Sequence, residues 1–265
     1  MKISDASIDI RPRSSSEITD LAVLFYRKHF PLLFSLTAIY GFPAVILAMS
    51  VHYFVRSGWV TLGTLALLLP LLSGAVVLAA SRIVFGSVLT VRDVLRLYRP
   101  VWARYFGRRF VENIVSLALT PVILGYVMHL NFSFTGPVGL LEQLRGKELR
   151  IRRKGLLRRG GGNALVFDFI SVMLVALFTV GAISLVELML GSVFTVWQET
   201  GIRTEDAMDD PFRFGIWMAV GVMAYPIYVL GWFFRYLDAR IRAEGWDLEL
   251  DFRRAATRLS KGDES

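Results

Sequence analysis

Long uncharged runs alternate along this chain with segments that hold nearly all of its positive charge, and this alternation is what most limits how it can fold. The apolar runs are approximately Phe30–Val55, Trp59–Ser81, Phe110–Leu130, Asn131–Leu141, Ala164–Val193 and Phe212–Phe234. Four of them clearly exceed the ~20 residues a helix needs to cross a bilayer, and the third just reaches that length. The fourth, NFSFTGPVGLL, is too short to span alone. It is expected to be a half-helix or a re-entrant piece, whose backbone must be buried by protein.

The charges orient these runs. Of the 30 Lys and Arg residues, 27 lie before the first run, between the second and third, between the fourth and fifth, or after the sixth. Basic residues gather on the cytoplasmic side of membrane spans, so both termini are expected in the cytoplasm. The same rule requires residues 110–141 to pass out and back. The expected fold class is therefore all-α: a polytopic transmembrane helical bundle of about six segments, one of them short or re-entrant. Residues 1–29 would form a cytoplasmic tail and interfacial helix, 30–234 the membrane domain, and 235–265 a cytoplasmic tail.

Composition agrees with a lipid solvent. The apolar fraction is 54% and the mean hydropathy is +0.52, where a soluble domain has ~45–50% apolar residues. A net charge of +8 might point to nucleic acid. Its placement beside apolar runs instead points to anionic phospholipid, with no nucleic-acid partner. The absence of cysteine excludes disulfides, thiol catalysis and Cys-type zinc sites. Residues 1–29 are polar and show no cleavable leader, so the first span is expected to stay in the protein.

Three basic segments resemble one another: SSSEITDLAVLFYRKHF from Ser14, TVRDVLRLYRPVWARYF from Thr90 and RGKELRIRRKGLLRRGG from Arg145. Aligned on Glu17, Asp93 and Glu148, each has an apolar residue next, an apolar pair eight and nine residues on, and a span soon after. Ser14 with Glu17 and Thr90 with Asp93 have the capping-box spacing of a helix start. In the second copy Val91, Val94, Leu95, Tyr98, Trp102 and Tyr105 keep helical spacing while Arg92, Arg96 and Arg99 fall largely opposite, as in a basic interfacial helix. The third copy lacks the capping residue. The bundle thus reads as three internal repeats of an amphipathic helix followed by a hairpin of spans. The repeats share one orientation, unlike the inverted repeats of many secondary transporters.

In the tail, Trp246–Phe252 alternates apolar and acidic residues, and Ile8–Arg11 begins the same way. A paired ribbon would show this pattern, but Leu248, Phe252 and Leu259 also keep helical spacing, and both readings stand.

Ionisable residues inside a membrane are functional candidates by default. Glu187, in the fifth run with no basic residue near it, is the candidate for a buried proton or cation site. Asp168, near the inner end of that run, is expected to form an ion pair with the basic segment. Glu112 follows Arg108 by four residues, the spacing of a helical ion pair. Glu142, beside a basic loop, is a structural acid. Arg92, Arg96, Arg99, Arg152 and Arg153 are the candidate contacts to lipid headgroups. Arg235, Asp238, Arg240, Arg242, Glu244 and Asp247 form a mixed-charge segment that reads as a solvated face or a docking surface. His29, His52 and His129 are scattered, and no HExxH, GxSxG or P-loop pattern occurs, so no metal, cofactor or catalytic residue is expected. Gly181, Ala182 and Ser184 would permit close helix packing, within the chain or between copies.

The repeated interfacial helices, the stretch GPVGLLEQLRGKELRIRRKGLL and the closing FFRYLDARIRAEGWDLEL resemble bacterial multi-pass inner-membrane proteins similar to the membrane domain attached to some glycerophosphoryl diester phosphodiesterases. In that family an acid ends the return helix, at the position of Glu142, and a basic helix containing a serine follows; Arg153-Lys154 stands where the serine is expected. The resemblance implies a bacterial inner-membrane location and, since the phosphodiesterase chemistry belongs to a separate soluble barrel, no enzyme activity. Three functions follow as expectations. The first is a non-enzymatic assembly or scaffold partner of other membrane proteins or of its own copies, with anionic-lipid contacts. The second is a small-solute or ion transporter using Glu187 and the break at Gly136 and Pro137. The third is an integral-membrane lipid enzyme built on Asp168, Glu142 and nearby arginines.

Overall fold

The structure, a computed structural model, describes residues 11–119, 124–159, 163–199 and 211–245, the side chains of 159, 187 and 190–199 excepted. Among the described residues the chain is helical and contains no strand. Four helical stretches are long and apolar enough to cross a membrane: Phe30–Val55, Gly58–Val84, Ala164–Val186 and Pro211–Glu244. The first two apolar runs and the fifth and sixth map onto these four. The tail stretches Ile8–Ile10 and Trp246–Phe252 lie outside the described residues, as does Gly160–Gly162.

Helix α1 (Ser15–Lys28) begins at the expected cap: the Ser14 hydroxyl accepts from the Glu17 backbone N–H, and Glu17 accepts from the Ser14 backbone. Its buried residues Ile18, Ala22 and Phe25 follow helical spacing and face the last helix, where Phe25 meets the edge of Phe234. The first span is α2 (Phe30–Leu36), one π-helical turn at Thr37–Gly41, and α3 (Phe42–Val55). A proline ring clashes with the carbonyl four residues back and supplies no N–H; Pro43 begins α3 just past the widened turn, which relieves that conflict. Arg56, in left-handed conformation, ends α3. The chain then turns back as α4 (Gly58–Leu68) and α5 (Pro70–Val84), a second span broken at Pro70. The hairpin is tied by His52 Nδ1 and the Thr61 hydroxyl, 3.0 Å apart and buried.

A second capped helix, α6 (Val91–Tyr98), follows, with Thr90 and Asp93 forming the expected capping box. Next come α7 (Trp102–Leu119), α8 (Leu124–Phe132) and α9 (Thr135–Leu141). The run Phe110–Leu130 is thus not one helix, contrary to expectation. Its described parts are the end of α7, to Leu119, and α8, from Leu124. The chain reverses, since Arg109 on α7 donates to the carbonyl of Phe132 at the far end of α8. Asn131–Leu141 likewise divides, into the end of α8, a turn at Ser133–Phe134 and the short buried α9.

The third basic segment forms α10 (Gly146–Arg159) despite lacking a side-chain cap, with Leu149 and Leu156 buried on one face. Helix α11 (Ala164–Glu199) buries Phe167, Asp168 and Ser171 near its start. Gly181, Ala182 and Ser184 are exposed, and an added Cβ at Gly181 would meet nothing within 4 Å. Those small residues therefore pack against no helix among the described residues.

Helix α12 (Pro211–Glu244) is the centre of the bundle, in contact with α1, α3, α5, α10 and α11. It runs without a break through Phe234 to Glu244. Arg235 and Asp238 are buried at 1% and 3% exposure, which corrects the solvated-face reading at these two residues, while Arg242 and Glu244 are exposed. Asp238 accepts from the Arg13 backbone N–H at 2.8 Å and from Arg242 Nε at 2.9 Å. Asp238 thereby ties the N-terminal segment to the last helix.

Candidate functional site

Helix α6 presents the sorting of faces that its sequence requires. Val94 and Tyr98 are buried, while Arg92, Arg96 and Arg99 are exposed. Its apolar face is covered by protein: Tyr98 stacks edge-on against Tyr40 and Tyr105 and sits over Gly74 of α5. The Asp93 carboxyl is held below the usual aspartate range, first by the Thr90 hydroxyl and then by the Thr90 backbone N–H.

Beside α6, the start of α7, the end of α9 and the loop before α10 enclose a pocket of about 130 Å³. Arg104, Arg108, Arg109 and Arg145 line it, together with Thr135 and Gln143. Arg104 and Arg108 are four residues apart on one helix, as are Tyr105 and Arg109, so two adjoining stripes of α7 supply one wall. Buried Glu112 accepts from Arg108 Nε at 3.2 Å and Arg109 Nη1 at 3.1 Å. The expected pair of Glu112 with Arg108 is present, and Arg109 shares the same carboxylate. Two of the four guanidinium groups that line the pocket thus share one carboxylate. The side chains of Arg104 and Arg145 are exposed and have no hydrogen-bond or ion-pair partner among the described residues.

Tyr105 and Arg109 also line a smaller cavity of about 40 Å³ on their other side, with His129, Gly136, Tyr225 and Tyr228. Tyr105 is fixed there by Ser73, 2.9 Å away. Next to this cavity Asp168 is 1% exposed. Its Oδ1 accepts from the Tyr228 hydroxyl at 2.8 Å and Trp232 Nε1 at 3.2 Å, and its Oδ2 from the Tyr126 hydroxyl at 2.8 Å. Asp168 was expected to pair with the basic segment, yet no ion pair to it exists among the described residues. Three neutral donors from α8 and α12 satisfy the carboxylate instead.

At the end of α9, Glu142 accepts from Arg152 Nε and from the Tyr236 hydroxyl, each at 2.8 Å. Arg152 also bonds Glu244, which accepts from Arg240 at 3.0 Å. Glu142 therefore clamps α9, α10 and α12 together, as a structural acid would. Arg152 is occupied by this clamp. Arg153 is turned inward, 7% exposed, with Nη1 3.1 Å from the Thr135 hydroxyl and its guanidinium over the Phe132 ring. It is not presented to headgroups, because α10 packs that face against α9. The side chain of Glu187 lies outside the described residues.

Arg104, Arg109 and Arg145 were not singled out from the sequence. The available signal was the i, i+4 repetition Arg104, Arg108, Glu112 at the start of α7, but which loop would close over it depends on the return of α8 and α9. No group of three potential metal ligands occurs among the described residues. No protein-family model matches the chain, and no curated protein or solved structure shows detectable similarity to it.

Proposed function

We propose that this chain is a non-enzymatic integral membrane protein of the bacterial inner membrane. It acts as an assembly partner for other membrane proteins and holds anionic phospholipid at its cytoplasmic face. The observation that supports this most directly is α6, whose apolar face is docked on the bundle while Arg92, Arg96 and Arg99 project outward. Outward guanidinium groups at the level where spans begin attract anionic lipid by about 1 kcal/mol each.

On this reading six segments form three units: α1 with the first two spans, α6 with the α7–α9 hairpin, and α10 with α11 and α12. Both termini are cytoplasmic. The capping boxes that open α1 and α6 support a common origin for the first two units. The sequence resemblance to the membrane domain attached to some glycerophosphoryl diester phosphodiesterases belongs to the same reading.

The test is native mass spectrometry of the full chain from membranes in mild detergent. The triple variant Arg92→Gln, Arg96→Gln, Arg99→Gln is expected to retain fewer phosphatidylglycerol or cardiolipin molecules than the parent. Equal retention would overturn the lipid role of α6. A stoichiometric membrane-protein partner supports the assembly role, and purification of the chain alone from native membranes argues against it.

A second reading, passage of a small solute, is favoured by one feature: Gly136 and Pro137, at the break in the fourth apolar run, line the small cavity behind Tyr105 and Arg109. Flux into proteoliposomes that is lost in Asp168→Asn while the variant stays folded would move the conclusion there.

A further inference from the structure

We propose that the arginine pocket between α7, α9 and the loop before α10 is a binding site for a single phosphate group. The site deepens the lipid reading, on which it rests only for the source of that phosphate. A phospholipid headgroup and a free phosphate anion share the chemistry.

Charge is the first argument. Arg104, Arg108, Arg109 and Arg145 converge on one pocket, and the carboxylate bonded to them, Glu112, is shared between Arg108 and Arg109. Arg109 is the one most withdrawn from water, its side chain 14% exposed, and like charges beside it repel more strongly as the local dielectric falls. An anion in the pocket removes that cost. Arginine is also the side chain whose planar fork matches phosphate oxygens in pairs.

Unmet hydrogen-bond capacity is the second. The exposed side chains of Arg104 and Arg145 bond no described residue. Arg109 uses Nη1 on Glu112 and the Phe132 carbonyl, while its buried Nε has no acceptor. A buried donor without an acceptor is costly and calls for a ligand or a water. Thr135 accepts from Arg153, which leaves its own hydroxyl hydrogen available to an oxyanion.

Size and wall chemistry are the third. The pocket volume of about 130 Å³ is about tenfold the ~10–15 Å³ that one water needs, room for a tetrahedral oxyanion but not for a whole lipid. Val101, Leu140 and Leu144 form an apolar side of the same pocket. A phosphodiester with a glycerol backbone would meet guanidinium groups on one side and apolar surface on the other.

The pocket is separate from the outward face of α6, so the two can be tested apart. The full-length protein is purified free of phospholipid and titrated with dihexanoyl phosphatidylglycerol and, separately, with inorganic phosphate. Parent, Arg104→Gln/Arg145→Gln and Arg92→Gln/Arg96→Gln/Arg99→Gln proteins are compared. Arg104 and Arg145 are exposed and unpartnered, so their replacement is expected to leave Tm unchanged. The expected result is one tight site that weakens at least tenfold in the Arg104/Arg145 variant and stays within twofold in the α6 variant. Tight binding of the lipid alone identifies a headgroup; competition by inorganic phosphate at the same site identifies free phosphate as a sufficient ligand. If the Arg104/Arg145 variant binds both probes as the parent does, or the parent binds neither, the proposal fails. Loss of lipid retention in the α6 variant alone would leave the lipid reading standing without this pocket.

Discussion

Tyr228 donates its hydroxyl hydrogen to Asp168 Oδ1 at 2.8 Å, and this fixes the role of a third residue. His129 Nε2 lies 2.8 Å from the same hydroxyl oxygen. A carboxylate only accepts, so the tyrosine hydrogen is committed to Asp168, and its oxygen is left to accept from Nε2–H of His129. One tyrosine on α12 thereby joins α8 to α11.

The consequence for Asp168 is a graded loss. Asp168→Asn keeps one acceptor oxygen and lets the Tyr126 hydroxyl turn round to accept, so it should lower stability by about 1 kcal/mol. Asp168→Leu strands Tyr126, Tyr228 and Trp232 together and should cost about 2–5 kcal/mol, since interhelical bonds in lipid are weak singly but orphaned donors are not. Thermal unfolding of both variants in detergent checks the order; equal losses would show that the carboxylate is not the shared acceptor.

Gly74 is required by two tyrosines. A Cβ there would lie 2.7 Å from Tyr105 Cε1 and against the Tyr98 hydroxyl, and both rings are buried. Gly74→Ala should cost about 1–3 kcal/mol by overpacking. Gly181→Ala, where nothing lies within 4 Å, should not destabilise, and comparing the two Tm values measures the effect.

The cap of α6 predicts both a mutational and a pH effect. Thr90→Ala should weaken the helix by about 1 kcal/mol, read as faster hydrogen exchange over residues 91–98. Asp93 and Glu17 have carboxyls held below their ordinary values of 3.8 and 4.5 by hydrogen bonds to their capping residues. A lowered folded value means that the contribution is fully present above the ordinary value and is lost as pH falls through the lower one. Protection of α1 and α6 should therefore be constant from neutral pH down to the ordinary values and decline below them.

Glu142 should couple to Glu244 through Arg152. Removing either acid leaves Arg152 one partner, and removing both leaves the guanidinium uncompensated between α9 and α12. The pair Glu142→Gln and Glu244→Gln should show a coupling of about 0.5–3 kcal/mol in a double-mutant cycle. Strict additivity would mean that the two acids do not share Arg152.

Much of this was written locally. The spans beginning near Phe30, Gly58, Ala164 and Pro211 follow from uncharged length, because a bilayer tolerates little else. The caps at Ser14 and Thr90 follow from residues three apart. The outward face of α6 follows from a period of 3.6 residues. Each depends on neighbours within a few turns.

What the sequence determined alone is which segments avoid water and which faces of its short helices are polar, since both are properties of a stretch and its solvent. The tertiary structure decided which polar groups meet. Asp168 finds its donors 42 to 64 residues away, Arg153 turns inward because α9 lies beneath it, and Arg145 comes to Arg104 only when the α7–α9 hairpin closes. Hydrogen bonds and ion pairs are short-ranged and directional, so partners distant along the chain are chosen by how the helices pack.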